Sequence, residues 1–240
     1  MAYGLAVTEA RKPRDVTTAK LTEFIVRANL VEPWHNTRYV ATFEAAWPEM
    51  RTAKRILDVG GRSPFTEMLE AFTDAAIDCD VYDLRGRFPY DDQSFDVVHL
   101  LEVIEHIKDR DSSSIGELAT FTFSGITNCL SEIRRVLRPG GLLVLTTPNV
   151  TGYRSIRNVL QHRHPFGYEP HNRELSLLGV DRLLRDANFA VERLVTIDAW
   201  KNEDDVWWQR RMALMLTLFR YSSRNRRDDI LALARRPESE

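Results

Sequence analysis

RILDVGGRSPF runs from Arg55 to Phe65 near the first quarter of the chain. Ile56, Leu57 and Val59 are β-favouring and run straight into Gly60 and Gly61. Pro64 then opens an apolar pattern at Phe65, Met68, Leu69 and Phe72, which has helical spacing. A buried strand, a tight glycine turn and a proline-started helix are the opening βα unit of a nucleotide-binding sheet. Such a turn lets a ligand approach bare backbone while the helix N-terminus offers N–H donors. Paired glycines also follow strands in ordinary turns, so the reading needs the rest of the chain.

FDVVHLL, Phe95 to Leu101, is a second apolar strand, followed at once by EVIEHI. LLVLT, Leu142 to Thr146, is a third, entered through RPGG and left through TPN (Thr147 to Asn149). The succession ILDVGG, DLRGRFPYDDQSFDVV, LEVIEH and EIRRVLRPGGLLVLTTPN resembles the class I S-adenosylmethionine-dependent methyltransferases, most nearly the branch acting on small molecules and saccharides. The resemblance covers roughly Arg55 to Leu194. It implies an α/β, Rossmann-like, mostly parallel sheet with helices on both faces and an antiparallel final strand. One departure is expected. Only 37 positions separate Asp58 from Phe95, and a βαβ unit takes about 30. One full strand fits there, Ala76 to Tyr82, where the family usually has two. The sheet should be trimmed on one edge.

With 240 residues, 43% hydrophobic and 28% charged, the chain suits a single domain spanning 1–240. Residues 1–53 read as a loose arm to about residue 16 followed by two helices, over Thr17 to Leu30 and around Tyr39 to Trp47, the second ended by Pro48. Residues 55–149 form the donor-binding core and 150–240 the acceptor side. A helix is expected over Ile115 to Leu137, stopped by RPGG, and an irregular excursion over 150–170. Ser176 reads as the N-cap of another helix, followed by strands at Ala190 to Ile197 and Ile230 to Ala234. The net charge of −2 gives no field to attract nucleic acid, so none is expected as a partner. Cys79 and Cys129 fall in apolar segments and read as reduced thiols. The N-terminus lacks a basic start with a long apolar core, and no run approaches the ~20 apolar residues of a bilayer span. Those features point to the cytoplasm.

By the resemblance, S-adenosylmethionine is the cofactor and S-adenosylhomocysteine the product. Asp58, Gly60 and Gly61 match the first motif, although Arg62 and Pro64 stand where its later glycines fall. A carboxylate about 20 residues past the first turn should hold the ribose. Asp78, Asp80 and Asp83 all qualify by spacing, and Asp83 is preferred because it ends the strand. Leu84, Phe88 and Pro89 would wall the adenine, while Leu101 and Glu102 would lie beside the methionine end. His106, one helical turn beyond Glu102, is the expected base. Asn149, His171, Arg173 and Glu174 are assigned to the acceptor, with Arg173 suited to gripping a carboxylate or phosphate. His162 and His164 lack acidic or cysteine company, so no metal is expected.

The resulting expectation is methyl transfer to a hydroxyl, less readily N or C, of a saccharide or small metabolite. The competing reading is an inactive donor-binding or scaffold protein in a glycan-assembly or membrane-associated complex. Its carrier would be the apolar stretch Trp207 to Phe219, edged with arginines, which suits a peripheral membrane or protein contact. The reading preferred here is plainer: a helix that closes over the sheet.

Overall fold

The computed structural model describes residues 16–28, 35–109, 124–168, 170–199 and 203–238. Most of the expected N-terminal arm, and Ile115 to Phe123 of the expected long helix, lie outside those residues.

Six strands form one sheet: β1 (Arg55–Asp58), β2 (Ala76–Asp78), β3 (Phe95–Leu101), β4 (Leu137–Pro148), β5 (Ala190–Ile197) and β6 (Asp229–Arg235), in the order β2-β1-β3-β4-β6-β5. The first four are mutually parallel, and β6 runs antiparallel to both β4 and β5. β2 is the only strand between β1 and β3, so the edge beyond it is trimmed as the spacing implied.

Alternation along each strand sends side chains to two separate cores. Ile56, Val97, Val144 and Leu231 face one side, where α1 (Thr18–Ala28), α2 (Asn36–Met50) and α3 (Pro64–Phe72) supply Leu21, Phe43 and Phe65. Leu57, Val98, Leu145 and Ala232 face the other, against Ile126, Leu130 and Ile133 of α4 (Ser124–Val136). Two further helices follow β4: α5 (Tyr153–Leu160) and α6 (Leu177–Asp186), the latter started by the Ser176 hydroxyl, which accepts the Gly179 N–H at 3.1 Å. α7 (Glu203–Leu218) precedes β6.

Several expectations need correction. Pro48 does not end α2; it sits in the last turn and forgoes its own bond to the preceding turn, yet the helix continues to Met50 and the Arg51 N–H still reaches the Trp47 carbonyl. β2 stops at Asp78 rather than Tyr82, because β1 itself ends at Asp58 and turns away through Gly60 and Gly61 (φ +105° and +101°), leaving no ladder partner. The helix before RPGG stops where expected, but RPGG itself is strand rather than turn. α4 ends at Val136, and Arg138 to Gly141 form a bulge within β4, where the register against β3 slips between Phe95↔Leu137 and Val97↔Leu142. The expected excursion at 150–170 contains α5. Nor does α7 close over the sheet with its apolar residues. Met212 is buried, but Trp207, Leu214, Leu218 and Phe219 are exposed.

His99, in the middle of β3, is fully buried against the Phe65 ring, and neither ring nitrogen has a hydrogen-bond partner. Burial holds its pKa down to about 3. Because the folded value lies below the unfolded one near 6.5, the unfolded chain takes up a proton that the native chain refuses, and stability falls as pH drops through 6.5. His99→Leu should therefore lose about 1.5 kcal/mol less stability than wild type between pH 7.5 and 5.5, read by chemical denaturation at both pH values. Parallel losses in the two proteins would show that His99 protonates in the native state.

Candidate functional site

Three recesses meet at the carboxyl ends of β1 and β3, where ligands of open α/β sheets bind. The first is a cleft of about 290 Å³ lined by Tyr82, Asp83, Leu84, Val103, His106 and Ile107. The second, about 90 Å³, lies among Arg38, Tyr39, Ser63, Leu101, Glu102 and Thr146. A third, about 280 Å³, is walled by His35, Arg38, Glu102, Glu105, His106 and His171, with Arg154, Gly167 and Tyr168 at its rim. His106 is common to the first and third, and Glu102 to the second and third.

Gly60 and Gly61 bring bare backbone to this end of the sheet. A Cβ on Gly60 would come within 2.9 Å of Val103, and one on Gly61 within 2.9 Å of Val81. Asp58 is buried, and its carboxylate accepts the hydroxyls of Ser63 (3.0 Å) and Thr66, the pair that caps α3. Burial nonetheless pushes its pKa up to about 6. The departures at Arg62 and Pro64 are both built into the helix start: Arg62 makes a two-pronged pair with Glu70 at 2.7 Å, and Pro64 is the first helical residue.

Among the three candidate aspartates, Asp78 pairs with Arg55 and Asp80 accepts the Tyr90 hydroxyl. Asp83 lines the first cleft and is exposed. Arg85 donates to it from its side chain and backbone, which holds its pKa down to about 2. Leu84 lines the same cleft, whereas Phe88 is buried and packs edge-on to Tyr82.

Glu102 and His106 do not share a helical turn. Glu102 takes a left-handed backbone (φ +57°), and Ile104 to His106 form a single 3₁₀ turn. One Glu102 oxygen meets Arg38 at 3.0 Å; the other is buried without a partner, as is the Thr146 hydroxyl. Glu105 is buried, with Oε2 accepting the Thr147 hydroxyl at 2.9 Å, and burial pushes its carboxyl pKa up. The exposed His106 ring sits 4.7 Å from that of His171, and partial burial and this neighbour lower its pKa. The His171 Nδ1 donates to Glu174 at 2.8 Å, and Glu174 also accepts the Gly167 N–H. That fixes the tautomer and leaves Nε2 facing Glu105 at 4.0 Å.

Of the other acceptor-side expectations, the Asn149 amide is spent on the backbone of Asn225, Arg227 and Thr151. Arg173 is paired with Asp109. The expectation of no metal rested on His162 and His164, yet among the described residues the groups whose ligand atoms converge, within 4.8 Å, are Glu105, His106 and His171. Sequence reading also missed Arg38, Val103 and Arg154. Arg38 and Arg154 come from helices whose pattern carries no motif, whereas Val103 lies within LEVIEH and was passed over between Glu102 and His106.

The residues present fit the donor that the resemblance implies. Tyr82, Leu84 and Ile107 offer an apolar slot with Asp83 at its edge, and the partnerless oxygen of Glu102 awaits a cation beside Leu101.

Comparison with known proteins gives concordant findings. The profile of a family described as a methyltransferase domain matches residues 34–194. A protein of Mycolicibacterium smegmatis named as a probable S-adenosylmethionine-dependent methyltransferase is 36% identical over 107 residues, 45% of this chain and 33% of its own. The chain thus spans about a third of that relative's length. Among solved structures, a SAM-dependent methyltransferase from Archaeoglobus fulgidus superposes with a TM-score of 0.52 at 14% identity, covering 88% of this chain and 98% of that one. The N-methyltransferase NodS of Bradyrhizobium japonicum gives 0.50 at 15% identity, covering 86% and 98%. At those identities the likeness is one of fold.

Proposed function

The chain belongs to the methyltransferase-domain family, and from that premise we propose that it methylates a hydroxyl of a saccharide or small metabolite. S-adenosylmethionine supplies, when bound, a sulfonium-activated methyl group. What remains for the chain is to hold two molecules in line and to take a proton.

One observation carries the reading: His106 belongs both to the Asp83–Val103 cleft and to the cavity of Glu102, Glu105 and His171. A base at that boundary reaches an acceptor oxygen in the cavity while donor contacts are made in the cleft. With its pKa lowered, His106 is neutral near pH 7 and able to accept a proton at a ring nitrogen. His171, oriented by Glu174, holds the acceptor. Asp58 keeps the glycine turn and α3 in place, and Gly60, Gly61, Asp83, Leu84, Leu101 and Glu102 contact the donor. α2 lines the adjoining small recess through Arg38 and Tyr39, and Arg38 also walls the cavity. A hydroxyl suits a histidine base because an alcohol keeps its proton until late in the displacement.

The test is transfer of labelled methyl from S-adenosylmethionine to a pool of hydroxylated sugars and metabolites, with boiled enzyme as control. Labelled product supports the reading. Donor binding with no transfer to any pool would favour the scaffold alternative. A second reading has its own observation, the convergence of Glu105, His106 and His171. Turnover lost on chelation and restored by a divalent cation would support it.

Donor contacts carry a further expected result. Asp83→Ala should weaken S-adenosylhomocysteine binding by roughly a few-fold only, because the carboxylate is exposed and already shared with Arg85. Calorimetry reads it; unchanged affinity would move the ribose to another group. For compartment, the two free cysteines support the cytoplasm, and among the described residues no helix is long and apolar enough to cross a membrane.

A further inference from the structure

α7 and the loop after it present a surface that the methyl-transfer site does not use. At about 100° per residue, Trp207, Leu214 and Leu218 fall within about 40° of one another on the helix. Each is more than half exposed, whereas Met212, roughly 140° round from Trp207, is buried. Arg210 and Arg211 flank the stripe and are exposed, and the Arg211 guanidinium lies 3.6 Å from the centroid of the Trp207 ring. The helix ends on a left-handed Arg220 (φ +63°), with the Tyr221 N–H returning to the Leu216 carbonyl at 2.7 Å. That turn leaves Phe219, Arg220 and Tyr221 exposed next to Leu218, and Arg224 is exposed shortly after.

Charge is sorted along this segment. From Val206 to Arg227 the chain carries six arginines and no aspartate or glutamate, although its net charge is −2. The acids Glu203, Asp204 and Asp205 precede it in the first turn of α7, where a helix dipole favours them. Two of the arginines are used within the fold: Arg226 donates to the Thr151 carbonyl at 2.9 Å, and Arg227 lies 3.9 Å from Asp198. Arg210, Arg211, Arg220 and Arg224 stay at the surface.

We propose that this face docks the protein on an anionic membrane surface, its apolar stripe entering the acyl boundary and its arginines meeting lipid phosphates. No described helix is long and apolar enough to cross a bilayer, so the contact is peripheral. Long guanidinium stems let the charge stay at the headgroups while neighbouring Trp, Leu and Phe side chains insert. A second copy of the chain is a poorer occupant. A two-fold interface sets one patch against itself, so arginines would meet arginines. The inference does not depend on which acceptor is methylated.

Co-sedimentation tests it with vesicles of equal parts phosphatidylcholine and phosphatidylglycerol, and with phosphatidylcholine alone. Wild type should pellet with the mixed vesicles, stay in the supernatant with the neutral ones, and be released by high salt. Leu214→Ser/Leu218→Ser should stay in the supernatant with both. Arg210→Gln/Arg211→Gln should bind the mixed vesicles about tenfold more weakly. A control on α6, Arg182→Gln/Arg185→Gln, should pellet like wild type. The substituted positions on α7 are all exposed, so melting temperature and S-adenosylhomocysteine affinity should match wild type. Leu218→Ser alone, at the most exposed position of the stripe, guards against a folding defect and should show part of the loss. Wild type left in the supernatant with mixed vesicles, or pelleting that survives the double serine change, overturns the proposal. So does a concentration-dependent dimer that the same substitutions dissolve, which would assign the face to a second copy.

Discussion

In a steady-state assay His106→Ala is expected to lower kcat by about a hundredfold or more, the size associated with losing a general base, while S-adenosylhomocysteine binding stays within about twofold. His106 contributes a wall to the donor cleft but no charge to it, so truncation should leave the donor's polar contacts intact. The pH profile gives a second readout. A base works deprotonated, and burial together with His171 lowers the pKa of His106 below 6.5. Turnover should therefore be flat near neutrality and fall only on the acid side, through a pKa below that of free histidine. His171→Ala should chiefly raise the acceptor KM, because its ring is fixed by Glu174 rather than placed between the two recesses. If His171→Ala abolishes kcat and His106→Ala does not, the two roles are exchanged.

The second large effect is expected at Glu102. Its backbone is left-handed, one oxygen holds Arg38, and the other is buried without a partner beside Leu101. A carboxylate left in that state is half-used, and a cationic ammonium on the donor would complete it. Glu102→Gln keeps the shape and removes the charge, so S-adenosylhomocysteine affinity should fall by about tenfold to a hundredfold, the range of a hydrogen bond between charged groups. The change also leaves Arg38 buried with less compensation, so the variant should unfold at lower denaturant. Arg38→Met/Glu102→Gln separates the two effects. Its stability should recover while donor affinity stays low. Wild-type affinity in Glu102→Gln would mean that the donor's ammonium is held elsewhere.

What was legible in the sequence was whatever depends on short-range pattern. Phe95 to Leu101 and Ala190 to Ile197 are strands with the bounds that apolar runs suggested, and Ser176 caps its helix because a hydroxyl before an apolar stripe has one strong local use. The trimmed edge followed from counting chain length alone. The misreadings arose where tertiary partners overrode a local signal. RPGG looks like a helix stop, but pairing with β3 and β6 draws it into a bulged strand. EVIEH looks like a helix start, but the left-handed Glu102 breaks the periodicity, and Asn172 ties the turn by donating to the carbonyls of Glu105 and His106. α5 was missed although Tyr153, Ile156, Val159 and Leu160 recur at helical spacing, because the helix is only eight residues long and has no side-chain cap to mark its start. The polar face of α5 lines a cleft whose opposite wall is Trp208 of α7.

The donor is expected to lie across the ends of β1 and β3 with its reactive end beside His106. A crystal structure of the protein with S-adenosylhomocysteine tests it most directly. The predicted result has the adenine between Tyr82, Leu84 and Val103, the ribose at Asp83, and the homocysteine ammonium at Glu102. A ligand bound in the cleft between α5 and α7, or one whose sulfur lies far from His106, would contradict it.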